Sequence, residues 1–113
     1  MAALGLKLRT AEGGYVAFFC PGCDEGHMMR IGDGPSPRWS FNGNAEKPTF
    51  SPSVLVFLPE RIDRNGNHHP QKTLCHSFVR DGRIEFLSDS AHGLAGQTVD
   101  LPDWPADYGF GGD

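Results

Sequence analysis

Cysteine placement constrains this chain more than any other feature. Cys20-Pro21-Gly22-Cys23, with His27 four residues on, and the later pair Cys75-His76 together hold all 3 cysteines. A Cys-x-x-Cys on a Pro-Gly turn aims two thiolates at one point, which is the first half of a tetrahedral zinc site. Cys75 supplies a third thiolate, so the expected Zn2+ ligands are Cys20, Cys23 and Cys75. For the fourth, His27 follows the knuckle closely, and His76 and His92 are the alternatives. Neighbours on a regular strand point to opposite faces, which counts against His76 beside Cys75 unless the strand bulges there. A thioredoxin-like redox pair would need a helix opening at the first cysteine. Asp24-Glu-Gly-His leads instead into a strand-like run.

A staple of this kind suits the composition. The chain has 113 residues, an apolar content of 38%, 15 glycines and 9 prolines, so a thin core is broken by many turns. Structural zinc is one of the standard remedies for a small core. Three cysteines cannot pair off as disulfides, no secretory signal is evident at Met1-Ala-Ala-Leu, and no run nears the roughly 20 apolar residues of a membrane span. The expectation is a cytoplasmic protein without membrane contact. A net charge of −4 argues against nucleic acid as a partner, since such proteins usually carry a basic face.

No long 3.6-residue period runs through the chain, only short alternating runs between turns. Leu4–Thr10 alternates, and Gly13-Gly14 turns it into Tyr15–Cys20. His27–Ile31 leaves the knuckle, and Arg38–Asn42 follows a Gly/Pro loop. Ser53–Leu58 is the most apolar run and reads as a central buried strand. Pro48 and Pro52 make the segment between them too proline-rich for one. Leu74–Val79 and Arg83–Leu87 flank Arg80-Asp-Gly82, the strongest hairpin signal present. Asp89–Gly96 suggests one helical turn, and Gln97–Leu101 a closing strand. The polar insert from Pro59 to Thr73, centred on Asn-Gly-Asn, reads as a mobile loop. The fold class is therefore mostly β, a small antiparallel sheet or sandwich with a zinc knuckle. A single domain spans 1–101, and 102–113 forms a Pro/Gly/Asp-rich tail.

Five segments also resemble a known family: Cys20-Pro-Gly-Cys23 with His27, Trp39-Ser-Phe-Asn-Gly43, Pro48-Thr-Phe-Ser-Pro-Ser-Val-Leu55, Cys75-His-Ser-Phe-Val-Arg-Asp-Gly82, and Phe86-Leu-Ser-Asp89 through His92-Gly-Leu-Ala-Gly-Gln-Thr-Val-Asp-Leu-Pro102. Together they are similar to a small protein of tailed phages and prophages, treated as a domain of unknown function with a zinc site at the Cys-x-x-Cys and Cys-His positions. Ser90 departs from that pattern, where a cysteine is common, and so weakens the case for a fifth ligand. The resemblance implies a phage-encoded accessory protein in the bacterial host cell.

Three function classes follow. The first is a non-catalytic, zinc-stabilised module that binds a host protein, as an inhibitor of a host enzyme or defence system; Trp104, Tyr108 and Phe110 either recognise that partner or pack on the protein's own sheet. The second is a metal-dependent hydrolase or nuclease built from His76 and His92, with His68-His69 and Asn65 or Asn67. The third is a nucleic-acid-binding zinc ribbon using Arg30, Arg38, Arg61 and Arg64. A closed Cys-rich zinc site is chemically idle, and no His-x-Glu precedes the knuckle as zinc deaminases require. The expectation is therefore the binding module, with no catalytic residue.

Overall fold

Strands and turns, with no helix, make up residues 2–108, the part of the chain that the computed structural model describes. Four strands form one antiparallel sheet: β1 (Ala2–Leu4), β2 (Leu8–Ala11), β3 (Tyr15–Cys20) and β4 (Glu25–Arg30), in that order. The second sheet uses β5 (Ser40–Phe41), β6 (Phe50–Leu58), β9 (Lys72–Arg80), β10 (Arg83–Phe86) and β11 (Thr98–Asp100), in the order β11-β10-β9-β6-β5. A small hairpin, β7 (Arg61–Ile62) with β8 (His68–His69), stands apart.

The sheets pack face to face, and the core lies between them. Leu8, Val16, Phe18, Cys20 and Met29 come from the first sheet; Phe50, Val54, Cys75, Val79, Ile84 and Phe86 come from the second, and Leu101 closes one end. Stacked sheets sit about 10 Å apart, so each inward side chain reaches those of the facing layer. Phe18 stacks on Phe50 at 6.3 Å and Phe50 on Phe41 at 5.0 Å.

Strand β3 is covered on both faces. Phe18 and Cys20 face the core, whereas Ala17 and Phe19 lie under the chain's last segment. Trp104 and Tyr108 meet the Phe19 ring edge-on at 6.2 and 5.1 Å. The Trp104 amide donates to Leu6 O, and the Gly26 amide to Tyr108 Oη at 3.0 Å. Of the two roles open to these aromatics, Trp104 and Tyr108 take that of packing on the protein's own sheet; Phe110 lies outside the described residues.

Local chemistry accounts for the turns. The hairpin between β9 and β10 uses Asp81 and Gly82, both with positive φ (51° and 75°), the pair that a two-residue type I′ loop demands. Leu4–Thr10 is two strands, because Gly5 takes φ 67° and starts a turn. Asp89–Gly96 forms irregular turns in place of a helical one. The insert expected to be mobile is a built hairpin: Asp63 Oδ1 accepts from the amides of Asn65 and Asn67, and Oδ2 pairs with His69 at 2.9 Å. Those bonds, the His69 contact first, hold the Asp63 carboxyl below its ordinary 3.8.

Strand β6 departs most from expectation. It runs straight through Pro52, and its register on β9 jumps from Phe50↔Val79 to Val54↔Ser77. That bulge is where a residue without an N–H is tolerated. Beyond it only one face is covered: Val54 is buried, while Leu55, Phe57 and Leu58 are 42, 44 and 45% exposed. The most apolar run of the sequence thus presents part of its apolar surface to solvent.

A Cβ on Gly82 would lie 3.1 Å from Lys47 Cα and 3.2 Å from Glu46 O, in a backbone conformation that L-residues avoid. Gly82→Ala is expected to destabilise the protein by about 1–3 kcal/mol, read as a lower urea midpoint with an unchanged m-value.

Candidate active site and metal centre

The metal centre is assembled by three separate segments. Cys20 ends β3, and the turn through Cys23 closes with the Asp24 amide on Cys20 O at 2.8 Å and Asp24 at φ 57°. The Cys23 amide points at Cys20 Sγ (3.4 Å), the N–H···S contact of a metal knuckle. Cys75 enters from β9, on the face turned toward the first sheet. His92 comes from the turns after β10. The Ala91 amide ties that segment to Leu74 O, and Phe86 supports the imidazole edge-on at 4.5 Å.

One ligand atom each from Cys20, Cys23, Cys75 and His92 lies within 4.8 Å of the others. Cys20 and Cys75 sulfurs are 3.9 Å apart, and Cys75 Sγ is 3.4 Å from His92 Nε2. A tetrahedral ion with arms of about 2.3 Å to sulfur and 2.0 Å to nitrogen sets these edges at about 3.8 and 3.5 Å. The donor set therefore fits a cation. The Leu94 amide donates to His92 Nδ1 at 3.2 Å, so a cation on Nε2, which moves the ring proton to Nδ1, lengthens that contact.

The thiols by themselves are electrostatically frustrated. Cys20 is drawn down to about 4, first by the hydrogen bond from the Cys75 thiol, against the effect of burial, with His27 helping. Cys75, the donor in that bond, is pushed far up, and Cys23 rises to about 11 through burial and the charge on Cys20. A bound dication lets all three be thiolates at once.

His27 is elsewhere. It sits on β4 opposite Phe18, two ladder steps inward from the Cys20↔Glu25 pair, with its ring edge-on to Phe18 at 5.5 Å. It is 6% exposed, and its Nε2 meets no hydrogen-bond partner among the described residues.

On the opposite face of β9, His76 makes different contacts. Its Nε2 is 3.0 Å from Ser53 Oγ, and its Nδ1 is 3.1 Å from Asp89 Oδ2. The register explains the first contact. Leu55 pairs with His76, and Ser53, two residues before Leu55, is the diagonal neighbour on the same face. The bulge at 51–53 delivers the hydroxyl there, a common use of bulges beside active sites. Ser90, next to Asp89, fixes the histidine backbone: its Oγ accepts from His76 N and donates to His76 O, each at 3.0 Å. The Asp89 side chain is 52% exposed and that of His76 25%, so their pairing orients the ring more than it stabilises the fold.

The histidines of the expected metal hydrolase are thus divided. His92 joins the sulfurs, His76 joins Ser53 and Asp89, and His68 and His69 pair with Glu60 and Asp63 on the surface hairpin. Sequence reasoning missed Ser53 and Asp89. No nucleophile-elbow motif surrounds Ser53, and nothing in the spacing of 53, 76 and 89 marks them.

Hydroxyl, imidazole and carboxylate in one hydrogen-bonded row define the serine hydrolase class, recognised by geometry and not by sequence order. The chain belongs to the family described as "Bacterial ubiquitination-like system serine protease (BubE)", whose model matches residues 4–87. That span includes Ser53 and His76 and ends just before Asp89. Comparison with curated proteins gives no match, and comparison with solved structures gives none either. The family overturns the expected non-catalytic phage accessory protein and host-protein inhibitor, because its description is that of a protease. Among the described residues no helix is long and apolar enough to cross a membrane.

Gly22 lies against His92: an added Cβ would fall 2.2 Å from Cε1 and 2.5 Å from Nε2. Gly22→Ala is therefore expected to weaken metal binding about 10- to 100-fold, measured by competition with a chromogenic chelator. Tight binding equal to the parent's would rule out His92 as a ligand.

Proposed function

We propose that this protein is a serine protease of a bacterial ubiquitination-like system, with Ser53 as nucleophile, His76 as general base and acid, and Asp89 as the group that orients His76. The row Ser53 Oγ–His76 Nε2, His76 Nδ1–Asp89 Oδ2, at 3.0 and 3.1 Å, carries this reading, and the family description supports it. His76 Nε2 takes the Ser53 proton as Oγ attacks the carbonyl carbon of the scissile bond. It then returns the proton to the leaving amine, which departs and leaves an acyl group on Oγ. Water, deprotonated by the same nitrogen, releases the acid and restores the hydroxyl. Asp89 accepts from Nδ1–H, which keeps the acceptor lone pair on Nε2 facing Ser53.

The metal in this reading is Zn2+, bound by Cys20, Cys23, Cys75 and His92. Three thiolates and one imidazole in a tetrahedron favour it over harder cations. Its role is structural, since four protein ligands leave no open position for water. It supports catalysis indirectly: Cys75 adjoins His76, and His92 follows Asp89 by one turn, so one ion pins the backbone beneath two of the three catalytic side chains. Free thiols at such a site suit a reducing cytoplasm.

A fluorophosphonate probe is expected to label wild-type protein at Ser53, located by mass spectrometry. Ser53→Ala is expected to abolish labelling and to lower kcat/KM on the order of a thousandfold or more, and Asp89→Asn at least about a hundredfold. Labelling at another serine would sink the assignment. Removing the metal with a strong chelator is expected to lose activity and the circular-dichroism signal of the sheet together. Activity lost with the sheet intact would make the metal a participant in the chemistry.

A further inference from the structure

Strand β6 carries the nucleophile and is left half-paired. On one side it is bonded to β9 along its length; on the other, β5 reaches only Phe50 and Ser51. Past that point the Trp39 indole donates to Ser53 O at 3.3 Å. Among the described residues, no strand pairs with the outer edge from Val54 to Leu58, and no loop hydrogen bond reaches it. An unpaired edge is a template for another strand. The same stretch exposes Leu55 and Phe57 on the face that bears Ser53 and His76, beside the hydroxyl rather than at random on the surface.

The edge also leads somewhere. Leu58 and Pro59 form one wall of an open cleft of about 530 Å³, whose other walls include Arg61, Lys72 and Asp89. Asp89 remains a carboxylate beside His76, but Arg61 and Lys72 outnumber it among the lining residues, so the lining is net positive. This local cationic spot, in a chain of net charge −4, suits a carboxylate. At about 3.3 Å per residue, the run from Ser53 to Leu58 spans about 17 Å of extended peptide.

Resting on the protease reading above, we infer that the substrate is an extended polypeptide segment that adds as a strand to the outer edge of β6. Its apolar side chains lie on Leu55 and Phe57, and an acidic residue about five positions from the scissile bond reaches Arg61 and Lys72. Main-chain hydrogen bonds supply the affinity, and alternate side chains supply the selectivity. Seating the scissile bond at Ser53 needs a segment free of its own packed neighbours, so the cleaved bond belongs to a tail or linker.

The test uses the full chain carrying Ser53→Ala and a fluorescein-labelled peptide of about ten residues, with valine and leucine at alternate positions and glutamates at one end or the other. Fluorescence anisotropy is expected to detect binding. N-methylation of one alternate set of peptide amides should weaken binding about tenfold, and methylation of the other set should change it little. Leu55→Ser with Phe57→Ser is expected to weaken binding about tenfold. Arg61→Glu with Lys72→Glu should reverse the preference for glutamates over lysines. Binding indifferent to methylation, or to Leu55 and Phe57, overturns the inference. Hydrolysis of a small activated ester by the wild-type chain judges the triad separately. A chain that cleaves the ester but does not bind the peptide keeps the triad and loses strand addition. One that binds the peptide but lacks esterase activity does the reverse.

Discussion

Successive residues of a β-strand face opposite sides of the sheet, and the structure depends on that rule at Cys75-His76. Cys75 turns inward to the sulfur cluster between the layers; His76 turns outward to Ser53 and Asp89. One dipeptide therefore joins the sulfur cluster between the sheets to the row proposed to do the chemistry. The segment after β10 repeats the device, with Asp89 directed to His76 and His92 to Cys75. Ser90, between them, clamps the His76 backbone through both of its polar groups. Two short pieces of chain, each serving two sites, hold the proposed catalytic row without help from a helix among the described residues.

Rigidity matters here because the catalytic row is shallow. Asp89 is half exposed, and a solvated carboxylate–imidazole pair adds little to stability. Such a row keeps its geometry only if the backbone beneath it is fixed by something stronger. A four-ligand metal site contributes apparent binding free energy of about 10–16 kcal/mol, comparable with the whole net stability of a typical domain. On the proposed reading, the metal site and the Ser53–His76–Asp89 row are coupled mechanically while remaining chemically separate.

The sequence made the fold class legible because the strand signals are local: the alternation in Arg83–Phe86, the Asp81-Gly82 turn, the knuckle at Cys20–Cys23. The metal cluster was legible for its three thiols, because cysteine has few uses in such a chain. Its histidine was not, since choosing among His27, His76 and His92 depends on how two sheets and a turn meet in space. The Ser53–His76–Asp89 row was invisible for the same reason, compounded by a bulge that no pattern announces at Ser51-Pro52-Ser53. The apolar run 53–58 was misread in an instructive way. High apolarity suggests burial on both faces, yet Leu55 and Phe57 lie exposed on the face that bears Ser53. For Trp104 and Tyr108 the sequence left partner recognition and self-packing open, and the contacts with Phe19 decide for self-packing.

Both tryptophans of the chain are held at informative places. Trp39 hangs its indole on the carbonyl of Ser53, and Trp104 packs edge-on against Phe19. The molecule thus carries two optical reporters, one beside Ser53 and one on the outer face of the first sheet. Emission from a chain retaining only one of them separates events at the catalytic strand from the loosening of the sandwich.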